Sequence, residues 1–172
     1  MLPHTIEQLE RVRLSCRALV KRRAIMLGGI AVVPVPGLDL MADVAALGNV
    51  IPKINQRFGL TAHQIEQLDA SKRNTVHEMA RKIGADFVGK SVTRRLIVAA
   101  LARLGKRAIA KRVVKFVPIA GQTLAAAWSY STMMMIGNAH VEACYQIARA
   151  AIQSRQPGAP EAGKSGVAHA AE

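Results

Sequence analysis

The chain has 172 residues, 51% of them hydrophobic but only 3% aromatic, and 24 Lys and Arg against 11 Asp and Glu give a formal charge of +13. That length supports one domain with its own core, so neither a disulfide framework nor a structural metal is needed, and the isolated Cys16 and Cys144 provide neither. An apolar fraction made of Ala, Val, Leu, Ile and Met predicts close-packed helices, an all-α fold, and so large a positive charge favours partners that carry phosphate.

Thr5 and Gln8 form a T-x-x-Q capping box and open the first predicted helix, through Leu9, Val12, Leu19, Val20, Ile25 and Met26, with an apolar end over 24–33. The opening MLPHTIEQLERVR has no apolar h-region with a cleavage site, so no signal peptide and a reducing, cytoplasmic setting are expected. Pro34 and Pro36 stop the helix because each lacks an N–H, and Gly37 permits a reversal. Asp39 is the expected N-cap of the next helix, which runs to Phe58, is bent at Pro52 and is closed by Gly59. A second box, Thr61 with Gln64, opens a short helix through Leu68, and Ser71 or Asn74 is expected to open the one after it.

The middle of the chain holds the charge. Between Ala70 and Phe116, thirteen Lys and Arg stand against Glu78 and Asp86. Arg103, Arg107, Lys111 and Lys115 recur at four-residue spacing, with Lys106 and Arg112 beside them, so a helix here carries one positive stripe and an apolar side. Those six residues are the expected contact to an anionic surface. Pro118 ends this helix, Gly121 allows a turn, and a last helix is predicted from about Thr123 to Ser154. The expected architecture is a single bundle of about five or six helices over residues 1–155, built from two apolar hairpins with Pro-Gly turns, and residues 156–172 form a disordered tail.

Phe116 to Val141 contains no Asp, Glu, Lys or Arg, and is long enough as a helix to cross a bilayer or to line a core. Gln122, Ser129, Tyr130, Ser131, Thr132 and Asn138 make it too polar for a lone anchor, so a packed helix is the better expectation. Gly121, Ala125 and Ser129 form a small-residue seam that lets another helix approach closely, and a homo-oligomer is a further expectation. Residues 33–42, VPVPGLDLMA, align with 117–126, VPIAGQTLAA. The echo is either a duplicated hairpin or one way of reversing apolar helices used twice.

Pro36-Gly37-Leu38-Asp39, together with Lys115-Phe116-Val117-Pro118-Ile119-Ala120-Gly121, Gly137-Asn138-Ala139 and Tyr145, resembles the helical domain of unknown function that follows Era-like GTPase domains in many bacterial proteins and also occurs alone in membrane-associated proteins. The resemblance covers about Ala24 to Ile152 and implies a membrane-linked helical module without established catalysis. No GTPase half accompanies it in this sequence.

Other motifs are read as structural. Gly158 to Ser165 matches G-x-x-x-x-G-K-[ST], but no strand precedes it and too little chain follows, so it is a chance match in a Gly/Ala/Pro-rich stretch. His140 and Cys144 lie one helical turn apart without further ligands at matched spacing, so a core thiol with a polar neighbour is expected, and no metal or cofactor. Asp43, in an apolar helix, is expected to pair with an Arg rather than to act in acid–base chemistry or ion handling.

The expected function is therefore a non-catalytic scaffold or adaptor on the cytoplasmic face of an anionic membrane, peripheral or partly embedded. The alternative implied by the resemblance is a soluble partner of a separately encoded GTPase. Nucleic-acid binding is disfavoured because the few aromatic residues sit mostly outside the basic runs, although phosphate contacts alone would suffice for a duplex.

Overall fold

A computed structural model describes residues 2–30, 38–90, 92–93, 95–99, 101–102 and 121–154. Five helices fill most of this: α1 (Ile6–Ile30), α2 (Leu38–Phe58), α3 (Ala62–Glu66), α4 (Ala70–Ile83) and α5 (Gly121–Gln153). Residues 95–99 and 101–102 are also helical, and no strand occurs among the described residues. The fold is an all-α bundle.

Local chemistry explains most of the helix ends. Thr61 N-caps α3 in a complete capping box, accepting from the Gln64 N–H at 3.3 Å while Gln64 Oε1 accepts from the Thr61 N–H at 3.2 Å. At α1, Thr5 Oγ1 accepts from the Gln8 N–H at 3.2 Å, but the Gln8 amide reaches one residue further back, to the His4 N–H at 3.0 Å. Neither Ser71 nor Asn74 opens α4. Asp69 does, accepting from the Lys72 N–H at 2.9 Å and pairing with the Lys72 ammonium. A carboxylate outcompetes a hydroxyl here because it also meets the positive end of the helix dipole, and the hydrogen bond from Lys72 lowers its pKa further.

α2 and α4 end the same way, on left-handed glycines, Gly59 at φ 73° and Gly84 at φ 70°. In each, the next N–H reaches back across the last turn, Leu60 to the Asn55 carbonyl at 2.8 Å and Ala85 to the Ala80 carbonyl at 2.9 Å. Asp39, the expected N-cap, lies within α2 as described from Leu38, and residues 31–37 before it lie outside the described residues. α2 continues through Pro52. Gly121 likewise lies within α5, and residues 103–120 before it lie outside the described residues.

α5 is the hub: it packs along α1 most extensively, and also against α2 and α4. Its 33 residues extend about 50 Å, and it buries Met133, Val141, Cys144, Ile147, Ala148 and Ala151. α1 answers with Leu9, Cys16, Val20, Ala24 and Leu27, and α2 with Val44, Leu47, Ile51, Ile54 and Phe58, each set stepping by three, four or seven residues and so keeping to one helix face. α1 and α5 approach closely at Gly137, where a Cβ would lie 2.6 Å from Val20 Cγ1. No helix among the described residues is long and apolar enough to cross a membrane.

Candidate functional site

Three polar clusters are set into the bundle where α5 meets its neighbours. The deepest joins α2 to α5. Asn55 is buried on the apolar face of α2, between Ile54 and Phe58, and its Nδ2 donates to the Phe87 carbonyl at 2.7 Å. That bond fixes the amide orientation and aims Oδ1 at α5, where His140 Nε2 lies 2.8 Å away and the Cys144 thiol 3.6 Å away. Because Oδ1 can only accept, His140 carries its proton on Nε2. The Phe87 ring meets the imidazole edge-on at 5.7 Å. Burial lowers the His140 pKa to about 4 and pushes the Cys144 thiol well above its ordinary value. At neutral pH the ring is uncharged and the thiol protonated, so the cluster is poor in both nucleophile and acid, and acts as a hydrogen-bonded pin between helices.

A second cluster binds α1 to α5. Glu142 Oε2 receives Arg13 at 2.7 Å and Arg17 at 3.2 Å, while Arg13 also reaches Glu10 at 3.4 Å. The Arg13 guanidinium lies 4.4 Å from the centre of the Tyr145 ring, whose hydroxyl donates to Glu10 at 2.5 Å. That hydrogen bond lowers the Glu10 pKa and raises that of Tyr145. The arrangement is a register lock for antiparallel helices, with every member engaged by another.

The third cluster involves two residues singled out from the sequence. Asp43 is buried on α2, and its Oδ2 accepts from the Ser129 hydroxyl of α5 at 3.2 Å. Ser129 therefore turns toward α2 of the same chain. Gly121 and Ala125 belong to α5, though their side-chain surroundings lie outside the described residues, as do Pro34, Pro36, Gly37 and Pro118. The basic residues Arg103, Lys106, Arg107, Lys111, Arg112 and Lys115 also lie outside them, together with the G-x-x-x-x-G-K-S match.

No group of three or more His, Cys, Asp or Glu side chains among the described residues is placed to hold a metal ion. A shallow cleft of about 280 Å³ beside the N-terminal segment is lined by Pro3, His4, Gln64, Leu68, Lys72 and Ile152 among others. It offers no carboxylate or thiol to a substrate. Asn55 and Gly137 were the structural residues with least sequence signal. Asn55 could have been found from its helical phase, since it continues the Val44–Leu47–Ile51–Ile54 face as a polar side chain that must find a partner when buried. No protein-family model, curated protein or solved structure matches the chain.

Proposed function

We propose that the protein is a non-catalytic helical scaffold or adaptor that associates peripherally with the cytoplasmic face of an anionic membrane. The observation that carries this reading is the charge distribution, thirteen Lys and Arg between Ala70 and Phe116 against Glu78 and Asp86. Of these, Arg81, Lys82, Lys90 and Arg95 are exposed. Each Lys or Arg near an anionic surface contributes about 1 kcal/mol, so a handful suffices without a spanning helix.

The polar clusters support a scaffold over an enzyme, since their hydrogen-bonding groups are directed at one another across helix interfaces. The resemblance to a membrane-linked helical domain points the same way. Flotation with vesicles containing phosphatidylserine at low salt is the test. The protein should rise with these vesicles, remain at the bottom with phosphatidylcholine alone, and detach as salt is raised; absence from the floated fraction at low salt refutes the proposal.

A further inference from the structure

The outward face of α1 differs from the rest of the described surface. Among the described residues six large apolar side chains are substantially exposed, and four of them, Ile6, Leu14, Ile25 and Met26, belong to this one helix. Leu14, Ile25 and Met26 are 63%, 57% and 55% exposed. Leu14, Ala18, Lys21, Arg22 and Ile25 follow i, i+4, i+7, i+8 and i+11, a single stripe about 17 Å long opposite the buried Leu9, Cys16, Val20, Ala24 and Leu27.

Along the stripe from Leu14 to Ile25 the charge has one sign, while the exposed Glu7 lies two turns before Leu14 on the same face. From Arg11 to Ile30, α1 contains no Asp or Glu, and Arg11, Arg17, Lys21 and Arg22 are all exposed. Arg11 stands 3.9 Å from Glu7, and Arg17 shares Glu142 with Arg13. Lys21 and Arg22 have no carboxylate within 4.0 Å among the described residues.

We infer that the outward face of α1 is the surface that seats the protein on an anionic bilayer, with Lys21 and Arg22 at the headgroup phosphates and Leu14, Ile25 and Met26 entering between the headgroups. This rests on the membrane-associated reading above and names its contact surface in α1, a different segment of the sequence from the basic stretch at 103–115. Interleaved apolar and cationic side chains on a helix parallel to the surface satisfy both parts of a bilayer interface at once. A nucleic acid would take the cations and leave the three apolar side chains in water, and α1 has no aromatic residue on which a base could stack.

The test uses the full chain and vesicles of phosphatidylcholine with or without phosphatidylserine, at physiological salt. Lys21→Gln with Arg22→Gln should weaken binding to the anionic vesicles roughly 25-fold, about 5-fold per charge. Leu14→Gln with Ile25→Gln should weaken it about tenfold through lost apolar insertion. Lys53→Gln with Arg149→Gln removes the same charge from exposed positions on α2 and α5, outside both α1 and the 70–116 stretch, and should leave binding nearly unchanged. Thermal melts confirm that all three variants are folded, as expected for exposed positions. If the unmodified protein ignores anionic vesicles, the membrane reading falls and this surface with it. If it binds but the α1 variants match it, or the Lys53 and Arg149 pair weakens it equally, only the α1 assignment is overturned. A DNA duplex whose binding is lost with Lys21 and Arg22, while vesicle binding is unaffected by the Leu14 and Ile25 changes, assigns the face to nucleic acid and overturns it too.

Discussion

Replacing Gly137 by Ala separates two opposed effects. In an exposed helix interior, Gly→Ala stabilises by about 1 kcal/mol because the unfolded chain loses conformational freedom and the helix gains propensity. At Gly137 the new methyl would sit 2.6 Å from Val20 Cγ1, 2.9 Å from Cγ2 and 3.3 Å from Cβ. Rotating Val20 about χ1 does not clear the site, because both methyls and the Cβ itself are close and valine is held to few rotamers in a helix. The α1 and α5 backbones must move apart instead, disturbing the Arg13–Glu142 and Arg17–Glu142 pairs along the same interface. Overpacking of this kind costs about 1–3 kcal/mol, and a stiff β-branched neighbour that presents three of its atoms to the new methyl places it in the upper part of that range. The net loss should be about 1–2 kcal/mol, a fall in Tm of roughly 2–8 °C followed by circular dichroism. Val20→Ala alone should cost about 2 kcal/mol, through two buried methyls and the space they leave. The double variant should lose clearly less than the sum, with a coupling of about 1–2 kcal/mol. A Gly137→Ala protein that melts higher than the parent, or a strictly additive double variant, refutes the close packing of these helices.

Three further outcomes follow from the buried polar cluster. Because burial lowers the His140 pKa from 6.5 to about 4, the unfolded state takes up the proton first as pH falls. Stability should therefore be full above pH 6.5 and decline between 6.5 and about 4, by an amount on the order of 3 kcal/mol, and urea titrations across that window should show a shallower decline in His140→Gln. Asn55→Ala leaves the His140 N–H and the Phe87 carbonyl without their partner, and should cost about 2–4 kcal/mol in denaturant unfolding. Cys16 and Cys144 are buried with raised thiol pKa values, chiefly through desolvation, so maleimide should label neither at neutral pH until denaturant is added; rapid labelling of the native protein would contradict the packing of α1 on α5.

The sequence by itself determined the helical class and most of the punctuation. Thr61 and Gln64 build their capping box from residues three apart, and Gly59 and Gly84 end helices because a left-handed residue favours glycine wherever the helix sits. Such interactions act within one turn, so they leave a local pattern that can be read without the fold. Even there, competition among neighbouring caps mattered, as Asp69 opening α4 in place of Ser71 or Asn74 illustrates. The positive charge was equally legible, because it is a sum over residues.

Only the tertiary structure decided how the helices meet. Asn55 and His140 are 85 positions apart, Asp43 and Ser129 are 86 apart, and Arg13 reaches Glu142 across 129. Asp43 alone in an apolar helix announced that it needed a partner, yet not that the partner included a serine from the long uncharged stretch. Gly137 could be read as a weak point in a helix; that Val20 fills the space over it depends on the register of α1 along α5. Register is set by the shapes and charges brought into contact, and no spacing within either helix encodes it. The same holds for the outward face of α1: the sequence supplied Leu14, Lys21, Arg22 and Ile25 at helical spacing, but which side of the helix α5 covers left them exposed.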